Sequence, residues 1–241
     1  MSPSTHSNFI FLPISNILKE AVSASAGIGA GIETFPLCDY VMQSIFIKMT
    51  GFQEQKLKCI CWDTASIAFE YRYQFTKNPL GECSSYADKN SIYKDLIKLS
   101  KKNGAPVNEV FSDREGLIES AANEIFETFE NTNLSVWAQA AFFDFSKIKN
   151  SIRKNHIASE GDIFSDPTLK SWYTDHLYRH RNRVAHNTSS YQQNLPTLKT
   201  LMDEKYKYEN YFLFFFMLTL IDKIFIEVHG KFLRAITERA D

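Results

Sequence analysis

Apolar residues recur every three to four positions along most of the chain, the spacing that gives a helix one buried face. The first clear stripe follows Pro36, a residue favoured in the first turn of a helix, and ends at Gly51. The next stripe predicts a long helix over about 53–75, which ends before Asn78-Pro79. No segment alternates apolar and polar residues convincingly enough to be a strand. The pattern therefore predicts an all-α chain.

Capping patterns indicate where further helices begin. Ser112-Asp113-Arg114-Glu115 has the form of a capping box, and Asp166-Pro167 can restart a helix after a polar loop. These and the apolar stripes predict helices over about 92–103, 112–129, 134–152, 166–187 and 204–237.

No linker separates these helices, so we predict a single all-helical domain over residues 1–241. Its first part, 1–33, is ambiguous. Residues 14–22 can be helical, whereas the three glycines within 27–31 disfavour a helix beyond that point.

Composition narrows the class of protein. With 44% apolar and 14% aromatic residues, the 241 residues can bury a sizeable core, which excludes intrinsic disorder. The longest apolar run, Tyr211 to Ile221, is too short to span a membrane and predicts core or a dimer interface. Residues 1–15 lack the features of a signal peptide, so a cytoplasmic protein is expected. The four cysteines have neither disulfide nor metal-site spacing, which predicts buried reduced thiols and no metal or cofactor.

Charge is nearly balanced overall, with 27 basic and 28 acidic residues, but it is unevenly distributed. Eight acids and one arginine lie between Glu109 and Asp144, whereas no acid lies between His176 and Met202. The acid-free stretch is the predicted contact for a phosphate backbone, and it carries Arg179, Arg181, Arg183, Lys199, His176, His180 and His186.

The segment from Tyr178 to Asn187 resembles the signature of the HEPN superfamily. That signature is an arginine, usually followed by a polar residue, and then a histidine after four to six intervening residues, late in a helical bundle. Arg181, Asn182 and His186 match it. The resemblance implies a HEPN-like helical bundle within about 85–241, with additional helices on its N-terminal side.

The resemblance also implies an activity, which is metal-independent RNA cleavage by attack of the ribose 2′-OH to leave a 2′,3′-cyclic phosphate. His186 would be the general acid and base, Arg181 would stabilise the charge on the phosphoryl oxygens, and Asn182 would position His186 or the phosphate. Arg179, Arg183, His180 and Lys199 are expected to bind RNA.

The same resemblance implies an assembly and a biological role. Two protomers of a homodimer would join their motifs in one composite active site. The role would be in toxin–antitoxin or antiviral defence, with an antitoxin or a defence-system protein as a further partner. No cofactor is expected.

Helix geometry favours a different arginine from the one that the motif names. At about 100° per residue, Arg179 lies roughly 20° from His186, Arg183 about 60° and Arg181 about 140°. Either the helix frays before His186, or Arg181 reaches around on its long stem, or it acts across a dimer interface.

Alternatives to a catalytic site also remain open. The basic segment can be a solvated helix end whose charges are neutralised by acids elsewhere in the fold, including those of 109–144. The runner-up function is a catalytically inactive HEPN-like module that binds RNA, a nucleotide or a protein. His176 and His180 have the spacing of a two-histidine metal site, but the flanking arginines argue against a cation there. Glu54 to Lys58 can support a site or form an exposed first turn.

Overall fold

A computed structural model describes residues 6–29, 31–77, 80–104, 113–186 and 210–240 of the chain. Within these ranges no strand occurs, and the single β-bridge joins Ile157 to Phe164. The all-α prediction is therefore confirmed for the part of the chain that the structure describes. The α-helices are α1 Ser7–Ile10, α2 Ser15–Ser25, α3 Phe35–Ile67, α4 Phe69–Lys77, α5 Tyr86–Lys102, α6 Arg114–Phe129, α7 Asn133–Trp137, α8 Gln139–Lys149, α9 Pro167–Ser171, α10 Tyr178–His186 and α11 Tyr211–Ala240.

The core forms around α11, which packs against α3, α5, α6 and α8. Its phenylalanines from Phe212 to Phe216 are all buried. Phe129 of α6 stacks on Phe215, with ring centroids 5.6 Å apart. A helix that is apolar on every side is stable in water only when other helices surround it. The aromatic run therefore belongs to the core, the first of the two places predicted for it.

Gly51 does not end a helix, contrary to the sequence prediction. Helix α3 passes through it without interruption. Glycine inside a helix costs only about 1 kcal/mol relative to alanine, and the buried residues on either side, including Met49 and Leu57, offset that cost by packing in the core. The break falls instead at Ala68, where the backbone is extended and α4 begins.

Two other predicted boundaries also change. The stripe predicted over 134–152 is divided at Ala138 into α7 and α8. The N-cap of α6 is Asp113, whose carboxylate accepts a hydrogen bond from the amide of Gly116 at 2.8 Å, so the cap lies one residue after the predicted Ser112. Asp166 caps α9 as predicted, through the amide of Leu169.

A buried ion pair joins the N-terminal helices to the centre of the fold. Lys56 Nζ of α3 lies 2.5 Å from Asp222 Oδ1 of α11 and also donates to the carbonyl of Leu12 at 2.6 Å. The other carboxylate oxygen of Asp222 accepts the amide of Ile14 at 3.0 Å. The turn between α1 and α2 is thereby fixed against α3 and α11.

Two expectations from composition can be compared with the structure. All four cysteines are buried free thiols, as predicted. Among the described residues, no helix combines the length and the apolar character that crossing a membrane requires.

We expect the folded protein to lose stability in acid because of His229 in α11. Its side chain is fully buried, neither ring nitrogen has a hydrogen-bond partner among the described residues, and burial lowers its pKa to about 4. Because a histidine in the unfolded chain titrates near about 6.5, the unfolded state takes up the proton first as the pH falls. Unfolding free energy should therefore decrease between these two pKa values, by up to about 3 kcal/mol.

The measurement is urea unfolding at a series of pH values for the natural chain and for His229→Leu. Leucine has no proton to take up, so the variant should lose this part of the acid dependence and should be at least as stable near neutral pH. The same slope in both proteins would show that another group is responsible.

Candidate RNA-binding and catalytic site

Apart from Lys199, which lies outside the described residues, the site residues predicted from sequence lie on one long helical stretch that changes its winding in the middle. Helix α9 starts at the Asp166 cap with Pro167 in its first turn. Residues Trp172–Leu177 form a π-helix, and α10 follows directly. A π segment is wider than an α-helix and shifts the register of the residues after it, and such segments occur often at functional sites.

The side chain of Arg181 turns toward α3 and is held at both ends of its guanidinium group. Its Nη2 lies 3.0 Å and 3.2 Å from the two carboxylate oxygens of Glu54, and its Nη1 donates to Asn182 Oδ1 at 3.0 Å. The Arg181 side chain is 21% exposed and that of Glu54 is 14% exposed. A guanidinium with two partners has little rotational freedom, so this arginine is fixed in position.

This contact bears on the conflict between the HEPN motif and the helical wheel. Asn182 shares a helix face with residue 186, four positions later. The guanidinium of Arg181 contacts the side chain of Asn182 while it faces Glu54 of α3. His186 is the last residue of α10, and its side chain lies outside the described part of the structure, as does all of Lys199.

Two buried polar residues near Arg181 were not predicted from sequence. Lys89, in the first turn of α5, is 1% exposed and donates to the carbonyl of Cys83 at 2.7 Å. Burial lowers its pKa to about 8, against the opposing field of Glu54. Tyr173 of the π segment is fully enclosed and donates to the carbonyl of Ser84 at 3.1 Å. The loop before α5 is thereby joined to the helix that carries Arg181.

His180 lies in the core, and both of its ring nitrogens contact other side chains. Its Nδ1 accepts a hydrogen bond from Arg183 Nη2 at 2.8 Å, and its Nε2 lies 2.9 Å from the hydroxyl of Tyr211. The ring also packs against Phe46, with centroids 5.3 Å apart. Because a guanidinium can only donate, Nδ1 carries no proton and His180 is a neutral imidazole with its proton on Nε2.

The other two arginines of α10 point in different directions. The side chain of Arg179 is 76% exposed and lies 3.6 Å from Asp175, one turn earlier. Arg183 lines a cleft of about 620 Å³ between α3, α7, α8, α10 and α11, together with Trp137, Gln43 and the ring of Tyr211. The guanidinium of Arg179 is therefore exposed at the surface, whereas Arg183 presents part of its side chain to the cleft.

Acids elsewhere in the fold compensate the basic charge of α10, but within the described ranges the paired acids do not come from 109–144. Glu54 belongs to α3, and Asp175 belongs to the π segment. Within the acidic segment, Glu124 instead pairs with Lys223 at 2.6 Å. The idea that acids elsewhere in the fold neutralise the basic segment therefore applies to Arg181, whereas the partner of Arg179 lies one turn earlier on the same helical stretch.

No group of three or more histidine, cysteine, aspartate or glutamate side chains suited to a metal ion is present in the part of the chain that the structure describes. Comparison of the chain with protein-family models, with curated proteins and with solved structures gave no match.

Proposed function

We propose that this protein is a metal-independent endoribonuclease whose active site contains Arg181, Asn182 and His186. The observation that supports the proposal is the fixed guanidinium of Arg181, which is held between Glu54 and Asn182 on the helix that ends at His186. A preorganised cation stabilises a charged transition state because it does not have to move when the charge develops. The motif resemblance supplies the reaction.

In the proposed reaction the ribose 2′-OH attacks the adjacent phosphorus, and the 5′-oxygen leaves. This forms a 2′,3′-cyclic phosphate and a 5′-hydroxyl. His186 accepts the proton of the 2′-OH or donates a proton to the leaving oxygen. Arg181 compensates the negative charge that builds on the phosphoryl oxygens, and Asn182 orients the histidine or the phosphate.

One histidine cannot act as base and acid in the same step, so the proposal includes a two-fold homodimer in which His186 of each protomer contributes. Arg179 and Arg183 bind the RNA backbone, as does Lys199. His180 is buried, so its role in RNA binding is indirect: its ring holds the guanidinium of Arg183 at the cleft.

The resemblance further suggests a cytoplasmic role in toxin–antitoxin or antiviral defence. In that setting, an antitoxin or a defence-system protein is a further partner. A cleavage experiment with purified protein does not depend on this biological role.

The second candidate function is RNA binding without cleavage, and the Glu54 contact favours it. A guanidinium already paired with a carboxylate presents less positive charge to a phosphate than an unpaired one. In that case Arg181 has a structural role, and Arg179 carries the interaction with RNA, because its contact with Asp175 is longer, at 3.6 Å, and lies on the surface where water screens it.

The test is cleavage of RNA by the purified chain in EDTA. We expect cleavage to persist, to leave 2′,3′-cyclic phosphate ends, and to be lost in His186→Ala. His156→Ala is the matched control, because His156 lies outside α10 and bonds within its own turn.

Three results would argue against parts of the proposal. Products with a 3′-hydroxyl would exclude the proposed chemistry. RNA binding without cleavage would favour the second candidate. A monomer that cleaves RNA, seen by light scattering on the same preparation, would exclude the composite site.

A further inference from the structure

Two cysteines from different parts of the fold line one cleft on the side of α3 near α4. Cys61 belongs to α3, and Cys83 belongs to the loop between α4 and α5. The cleft has a volume of about 460 Å³, and the side chains of Trp62, Phe75 and Leu80 contribute to its walls. The side chains of both cysteines are almost completely buried, so this cleft is their route to solvent.

The two thiols form the end of a short chain of polar contacts. The hydroxyl of Tyr71 donates to Cys61 Sγ at 3.5 Å. The Cys83 thiol donates to the carbonyl of Gly81 at 3.9 Å. The neighbouring side chain of Cys61 lowers the pKa of Cys83 against the opposing effect of burial, and the positive charges of Lys89 and Lys58 also lower it. The neighbouring side chain of Cys83, together with burial, raises the pKa of Cys61. The pair therefore consists of one thiol whose pKa is lowered and a neighbour whose pKa is raised.

The backbone of Cys83 is held in an unusual conformation. Its φ angle is +60°, in the left-handed region that residues other than glycine seldom adopt. The carbonyl of Cys83 accepts the buried ammonium of Lys89, and the next carbonyl accepts the hydroxyl of Tyr173. Such conformations persist only where surrounding contacts fix them, and they are frequent at functional sites. These contacts fix the backbone of Cys83 at the cleft that Cys61 also lines.

Cys59 provides a comparison within the same helix. It is also buried, but burial raises its pKa, and the carboxylate of Asp63 acts in the same direction. A thiol that stays protonated reacts slowly with oxidants. The chain thus contains a buried cysteine of low reactivity two residues from Cys61.

We propose that Cys61 and Cys83 form a redox-active dithiol site that reacts with peroxides. The thiolate of Cys83 attacks one oxygen of the peroxide, the O–O bond breaks, and the other oxygen leaves as water or an alcohol after taking up a proton. Cys83 is thereby oxidised to a sulfenic acid. The sulfur of Cys61 then attacks the Cys83 sulfur, releases its proton, and displaces the sulfenic oxygen as water. The product is a disulfide between α3 and the loop before α5.

The experiment uses the whole chain, reduced, freed of reductant and treated with hydrogen peroxide under native conditions. Unreacted thiols are then alkylated in denaturant and counted by mass spectrometry. We expect two of the four thiols to be lost and a linked peptide pair that contains Cys61 and Cys83. Alkylation of all four thiols after treatment, or a disulfide that links Cys59 in place of Cys61, would overturn the proposal.

Variants separate the two roles of the pair. Cys61→Ser removes the second thiol, so dimedone should trap a sulfenic acid at Cys83. Cys83→Ser should give neither a disulfide nor a trapped species at Cys61. Cys59→Ser is the matched control and should still form the disulfide. If a variant does not fold, as judged by circular dichroism, peptide mapping of the natural chain still decides the question. No RNA is present, so the result is independent of the proposed ribonuclease.

Discussion

Asp222→Ala should destabilise the protein by about 3 to 5 kcal/mol, because it leaves the ammonium of Lys56 without its carboxylate in the core. Both side chains are at most 2% exposed, and their charged atoms are 2.5 Å apart. The substitution also removes the acceptor for the amide of Ile14, so the turn between α1 and α2 loses a second contact. The measurement is denaturant unfolding followed by far-UV circular dichroism.

The control is an ion pair on the surface of the same helix. Glu227 pairs with Lys231 one turn later at 2.9 Å, and its side chain is 38% exposed. Glu227→Ala should cost about 1 kcal/mol or less, as exposed pairs do. Replacing Lys56 and Asp222 together by Met and Leu should recover most of the lost stability, because no charge is then left unpaired. A loss below about 1 kcal/mol in Asp222→Ala would show that the pair is not important for folding.

The positions of the helices could be predicted from the sequence because each apolar stripe records one buried face. The errors arose where a weak local preference competed with packing. Gly51 lowers helix propensity by an amount that the neighbouring core contacts exceed, so α3 continues through it. Ala68 carries no helix-breaking signal in its own side chain, so the real end of α3 was not predictable from residue type.

The spacing of the buried residues places Lys56 and Lys89 at core positions, although a lysine is not the residue type expected there. Gln53, Lys56, Ile60 and Asp63 follow Met49 at spacings of four, three, four and three, and all are buried. Lys89 likewise precedes Ile92 and Leu96 on the buried stripe of α5. A charged residue at a core position predicts a buried partner, but the sequence does not identify that partner.

The contact between Arg181 and Glu54 could not be predicted from sequence for a different reason. The two residues are separated by 127 positions, and only the packing of α10 on α3 brings them together. Helix periodicity gives the direction of a side chain around its own helix. It does not give the neighbouring helix, which is why Glu54 could only be placed in a support role or on an exposed turn.

Arg181→Ala should lower the rate of RNA cleavage by about 10² to 10³ while RNA affinity changes little, because a contact made chiefly in the transition state affects turnover rather than binding. Arg179→Ala and Arg183→Ala should instead weaken binding and reduce the dependence of affinity on salt by about one phosphate contact each. Cleavage rates at saturating RNA and affinities at two salt concentrations are measured for all three variants.

Two further variants separate catalysis by Arg181 from its structural contact with Glu54. Arg181→Lys keeps the positive charge but loses the planar fork, so it should remain folded and cleave slowly. Glu54→Gln removes the carboxylate that holds Arg181 in place. If Arg181 is catalytic, Glu54→Gln should alter cleavage with little effect on RNA affinity.

If Arg181→Ala stays active while Arg179→Ala or Arg183→Ala is inactive at saturating RNA, the helical wheel identified the catalytic arginine and the motif did not. If all three arginine variants only weaken binding and the natural chain leaves RNA intact, Arg181 has a structural role and the protein binds RNA without cleaving it.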